Sequence, residues 1–154
     1  MESTDCRKNK VMVFGTFDRF HKGHEYFLKE ARKRGSYLVA VVARDKTVEN
    51  MKSKAPADSE EKRKGNIEHA GIADKVVLGS EDISAEKMYD VIAKERPDVI
   101  CLGYDQKFFV GGLEDAVRSF GLKTEITRIK AYKPWKYKTS LLAAVEKHEK
   151  RKYH

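Results

Sequence analysis

Cysteine, proline and tryptophan are scarce in this chain: its 154 residues hold two cysteines, three prolines and one tryptophan. Two thiols, Cys6 in a polar stretch and Cys101 in an apolar run, cannot build a disulfide framework or a zinc site. Both are expected to be incidental thiols of a reduced, cytoplasmic protein. A chain of this length can bury a core without such staples. No apolar run approaches the roughly 20 residues of a bilayer span. The opening MESTDCRKNK contains no apolar signal region, so neither secretion nor membrane association is expected. Internal repeats and low-complexity segments are absent too. One domain is expected over residues 10–154, with residues 1–9 as a flexible tail.

Charge, in contrast, is plentiful: 36% of the residues are charged and the net charge is +8. The excess is uneven. Residues 1–54 carry 13 Lys and Arg against 7 Asp and Glu, residues 55–122 carry 9 against 14, and residues 123–154 carry 10 against 3. Two basic ends flank an acidic middle. That asymmetry suits a nucleic acid, a membrane surface or a small phosphorylated ligand.

Short apolar runs recur at Val11–Phe14, Leu38–Ala43, Val76–Leu78 and Val99–Leu102, with a weaker alternating stretch at Thr124–Ile129. They are nearly continuous and rich in Val and Ile, as parallel strands covered on both faces are. Helical spacing lies between them: His24–Lys33, Ala85–Glu95 with Ser84 as its cap, Gly111–Phe120 ending at Gly121, and Leu141–Arg151. Residues 45–57 and 104–112 read as loops. Strands alternating with helices across short joints predict an α/β fold, a Rossmann-like doubly wound parallel sheet of five strands in a single domain. In such sheets the ligand sits beyond the carboxyl ends of the strands.

Beyond the first strand stands Gly15-Thr16-Phe17-Asp18-Arg19-Phe20-His21-Lys22-Gly23-His24, followed by a helix. Gly15 permits a sharp exit from the strand. Gly23 removes a side chain where the helix begins, so a ligand can approach the backbone. Free N–H groups and the positive end of the helix dipole favour phosphate there. His21 and His24, three residues apart, can share one face and donate hydrogen bonds to phosphate oxygens, stabilising charge that builds at phosphorus. Two surface histidines beside an ordinary turn would be the bland alternative. A zinc site would be another, but spacing suggests no third ligand.

Gly15–His24 resembles the G-T-F-D-x-x-H-x-G-H motif of the nucleotidylyltransferase superfamily, and the resemblance runs from about Val11 to Val145. Within that superfamily the chain is most similar to the archaeal FAD synthase (FMN adenylyltransferase) group. Val42–Val48, Glu60-Glu61-Lys62-Arg63 with Ala73–Val76, and Leu102-Gly103-Tyr104-Asp105-Gln106 carry this closer likeness. The resemblance implies catalysis by His21 and His24. It implies a nucleotide site at Thr16, Phe17, His21, Lys22, Gly23, His24, Asp105 and Tyr132. It implies phosphate contacts from Arg63 and from the Lys138-Thr139-Ser140 turn that opens the last helix. For Arg63 a solvated helix charge is the competing reading, and for the turn a plain helix cap. Asp18 matches the motif as either a loop brace or a catalytic group. Tyr104, Phe108, Phe109, Tyr132, Trp135 and Tyr137 can stack on a flat ring or pack within the protein.

The implied reaction is transfer of AMP from ATP to FMN, giving FAD and pyrophosphate. The alternative is a CTP-dependent transfer to glycerol 3-phosphate or a similar alcohol phosphate. A divalent cation, Mg²⁺, would come bound to the substrate phosphates, with no metal ligand from the protein. A homodimer is expected from the resemblance, and no nucleic-acid partner.

Overall fold

The computed structural model describes residues 9–82, 84, 87–106 and 110–130. Among these residues, five strands form one sheet: β1 (Lys10–Gly15), β2 (Tyr37–Val42), β3 (Lys75–Leu78), β4 (Val99–Leu102) and β5 (Glu125–Arg128). Their order is β3-β2-β1-β4-β5, and every neighbouring pair is parallel. Among the described residues, five helices accompany them: α1 (Lys22–Arg32), α2 (Asp45–Lys52), α3 (Glu60–Ala70), α4 (Asp90–Glu95) and α5 (Leu113–Ser119). The chain winds outward from β1 to β3, then returns to β4 on the other side of β1. The strand order therefore reverses between β1 and β4, and the carboxyl ends of these two strands are where sheets of this kind hold their ligand crevice.

The continuous apolar runs are explained by burial on both faces. Odd and even residues of each strand point to opposite sides. Val11, Val13, Leu38, Ala40, Val42 and Cys101 pack against Leu28 and Ala31 of α1 and Ile67 of α3. Met12, Phe14, Val39, Val41, Ile100 and Leu102 pack against Ile92 of α4 and Leu113 and Val117 of α5. Cys101 is fully buried, and burial pushes its thiol up to about 11.

Two expectations change. Residues 45–57 are not a continuous loop, because Asp45–Lys52 forms α2. The helix expected from Ala85 begins only at Asp90, with Tyr89 at its N-cap. Ser84 instead receives the N–H groups of Lys87 and Met88 at its carbonyl, closing a separate turn. Cys6, most of the tail, Phe108, Phe109, Tyr132, Trp135, Tyr137, Lys138, Thr139, Ser140 and the helix Leu141–Arg151 lie outside the described residues.

Candidate active site

The segment Gly15–His24 leaves β1 and enters α1 at the crevice. It makes the turn with two non-glycine residues in the left-handed region, Phe17 at φ 54° and Arg19 at φ 53°. Such conformations persist only where surroundings enforce them. One enforcing contact explains Gly15. Its own φ is not positive, so backbone freedom is not what it supplies. A Cβ there would stand 2.8 Å from the Phe17 ring, so the glycine makes room for an aromatic group that is itself buried.

His21 is the N-cap of α1. Its Nδ1 accepts from the Gly23 N–H at 3.0 Å, and the His24 Nδ1 accepts from the His21 N–H at 3.1 Å. Each imidazole thus caps the helix start through Nδ1, which requires the neutral proton on Nε2. The rings stack with centroids 4.0 Å apart. Phe20 stacks on His24 from another side, and Phe17 meets it edge-on, both with centroids 5.6 Å away. Burial lowers the pKa of both histidines. For His24, burial and then the neighbouring His21 bring it to about 3. The pair is therefore neutral at physiological pH and offers one Nε2–H donor per ring.

This differs from the sequence expectation in one respect. The N–H groups of Gly23 and His24 are not open to phosphate, since the first donates to His21 Nδ1 and the second to the His21 carbonyl at 3.0 Å. The imidazoles accept the Gly23 and His21 N–H groups through Nδ1 and keep Nε2 as the donor of each ring.

Across the crevice, Gln106 joins the two strand ends. Its Nε2 donates to the Phe14 carbonyl at 3.2 Å, and its Oε1 accepts from the Gly103 N–H at 3.1 Å. The 103–106 loop is thereby seated against the end of β1, with Tyr104 (40% exposed) and Asp105 on its outer side. Thr16 is half-buried and Lys22 exposed on the same joint. His21, His24, Phe17, Thr16, Lys22 and Gly23 therefore gather on one turn, with the Asp105 loop beside it.

Arg63 does not lie at the surface as a phosphate ligand or a solvated charge. It is fully buried. Its Nη1 donates to the carbonyls of Thr16 and Ala43, both at 2.8 Å, its Nε to the Asp58 carbonyl at 3.0 Å, and its Nη2 to Asp45 Oδ1 at 2.6 Å. A guanidinium so enclosed has no face left for a ligand. Asp18 is a loop brace: its carboxylate accepts from the N–H groups of Ala57 and Asp58, both at 2.8 Å. Burial pushes its pKa up, but these bonds and the charges of Arg63 and Arg19 outweigh it and hold the carboxyl below its usual value.

Sequence reasoning gave no role to Gln106, Asp58 or Asp45. Gln106 stood inside a quoted motif, which was its only signal; Asp58 had none. Among the described residues, no three His, Cys, Asp or Glu side chains gather as a metal site, and no helix is long and apolar enough to cross a membrane.

The cytidylyltransferase-like family model matches residues 12–145. The FAD synthase of Aciduliprofundum boonei is 46% identical over 80% of this chain and 79% of its own length. That of Ferroglobus placidus is 45% identical over 79% and 76%. Among solved structures, the lipopolysaccharide core biosynthesis protein from Thermoplasma volcanium is 39% identical with a TM-score of 0.72, covering 80% of this chain and 98% of that one. The pantoate-beta-alanine ligase of Francisella tularensis, at 13% identity and a TM-score of 0.57 over 82% and 60%, shares the fold alone. The motif at the end of β1, the crevice it lines and these likenesses over most of the chain agree: the protein belongs to the cytidylyltransferase-like family, in the branch that holds the archaeal FAD synthases.

Proposed function

We propose that the protein is an FAD synthase that transfers AMP from ATP to FMN. The observation that carries the chemistry is the neutral His21–His24 pair, which caps α1 through Nδ1 and so leaves Nε2 as the N–H donor of each ring. A phosphate oxygen of FMN attacks the α-phosphorus of ATP. The bond from that phosphorus to the bridging oxygen of the β-phosphate breaks, and pyrophosphate leaves with that oxygen and its electron pair. The two ring N–H groups, already oriented by the helix, donate to the oxygens on which charge increases. No protein nucleophile is required, because binding both phosphates in line supplies the remaining advantage. The names of the relatives support ATP and FMN as the substrates.

Mg²⁺ would arrive on the triphosphate, whose oxygens would supply its ligands. Bound there, it would neutralise charge on the leaving pyrophosphate. Tyr104, exposed beside the crevice, is a surface on which the isoalloxazine can stack. We also propose a homodimer, to be checked by light scattering.

The deciding experiment incubates the purified protein with Mg²⁺ and either ATP and FMN or CTP and glycerol 3-phosphate, with products identified by mass. FAD and pyrophosphate from the first mixture are expected. Product from the CTP mixture alone would replace this reading with that of a cytidylyltransferase.

A further inference from the structure

The bonds of Arg63 join three places that are far apart in sequence: the Thr16 carbonyl before the left-handed pair, the Ala43 carbonyl beyond β2, and the Asp58 carbonyl before α3. Asp18 returns the connection by holding the N–H groups of Ala57 and Asp58. The strained turn is therefore gripped on both sides of Phe17, at Thr16 and at Asp18. Asp45, the fourth Arg63 partner, is fixed in turn by Glu60, whose Oε1 accepts the Asp45 N–H at 2.7 Å. The free energy needed to keep Phe17 and Arg19 at positive φ has an identifiable source in these charged bonds.

We infer that Arg63, acting with Asp18, is a positioning residue that holds the Thr16–Arg19 turn in its strained form, so that Phe17 and the two imidazoles meet in the arrangement the reaction uses. The geometry requires this coupling. If either grip is released, Phe17 and Arg19 gain by relaxing to negative φ. Phe17 then leaves the edge of His24, and the ring pair loses one wall of its packing. The strut is closed off by its protein partners: Arg63 is fully buried and spends its donors on Thr16, Ala43, Asp58 and Asp45. Its effect passes through the turn, and a shift of about an ångström there costs on the order of 100-fold in rate.

The test uses Asp18→Asn and Arg63→Lys in the full chain. The first keeps the shape of the brace but abolishes one of its two bonds, because an amide nitrogen cannot accept from a backbone N–H. The second keeps the buried charge but not the fork. For each variant, kcat and KM for ATP are measured with FMN in excess, and the His24 imidazole is titrated by NMR. The expected result is folded protein with kcat lowered roughly 10- to 100-fold and KM for ATP changed less than about three-fold, the larger loss in Arg63→Lys. The His24 titration moves upward from about 3 as its packing loosens. An unchanged kcat and an unmoved His24 titration in the folded variants would overturn the inference. So would a rise in KM at constant kcat, the mark of a direct phosphate ligand. The inference rests on the FAD synthase reading only for its kinetic arm. If the unaltered protein makes no FAD yet His24 still shifts in both variants, that reading fails and the strut stands.

Discussion

The neutral state of His24 has a measurable consequence for stability. Its pKa lies near 3 in the folded protein against 6.5 in an unfolded chain. The unfolded state therefore binds an extra proton throughout the interval between these values. Linkage gives the sign: the folded-state advantage is complete above about pH 6.5 and is lost as the pH falls toward 3. Each pH unit in that window costs about 1.4 kcal/mol, so acidification from about pH 7.5 to about pH 5 removes up to about 2 kcal/mol through this one residue. Other groups titrate over the same range, which makes a difference measurement necessary. Urea unfolding of the unaltered protein and of His24→Gln at both pH values provides it. The unaltered protein should lose up to about 2 kcal/mol more than the variant on acidification. A stability difference that is the same at both pH values would show that His24 titrates normally. The packing of Phe17, Phe20 and His21 around it would then be looser than described.

Three further outcomes follow from named contacts. His24→Ala should lower turnover of ATP and FMN about 100-fold or more while the melting temperature falls only slightly, because the ring N–H acts on the transition state; parallel losses of both would mark it as structural. Gly15→Ala forces a methyl to 2.8 Å from the Phe17 ring, so a loss of about 1–3 kcal/mol is expected in chemical denaturation, and Gly15→Ala with Phe17→Leu should recover part of it. At the opposite end of the sheet, buried Glu95 accepts from Lys75 at 2.7 Å and from Lys10 at 3.3 Å. Burial raises its pKa, but the two lysines prevail and hold it below its usual value. Glu95→Gln should therefore narrow the stability lost as pH drops below about 4.5, leaving kcat unchanged, in a pH series of melting curves.

The inner strands β1, β2 and β4 were legible because burial on both faces leaves continuous apolar runs, and Val99–Leu102 forms over the span those runs suggest. The helix α2, expected as loop, lacks such a signal, and α3 was legible only through the resemblance carried by its Glu60–Arg63 start. In α2 only Thr47 and Val48 are buried, and in α3 only Arg63 and Ile67. A charged residue in the core position of α3 removes the apolar stripe by which amphipathic helices are recognised. The same substitution of charge for hydrocarbon hid the role of Arg63, since nothing in E-E-K-R tells a buried guanidinium from a solvated one. At the site, the spacing of His21 and His24 pointed to a shared function. Their tautomer and their neutrality depend on which ring atom meets which backbone N–H, and that is decided only by the turn that Asp18 and Arg63 enforce.

Cys101 turns the floor of this crevice into its own reporter. It lies on β4 opposite Val13 of β1, fully buried and with its thiol pushed up to about 11. Its side chain lies under α1 and α3, so a reagent can reach the sulfur only when that face of the sheet is uncovered, and reaction needs the thiolate that burial suppresses. The rate of Cys101 labelling therefore counts departures of the α1 and α3 layer from the sheet. Nucleotide bound at the start of α1 should slow the count. A thiol with no place in the chemistry thus serves as a clock for how long that helix layer stays seated.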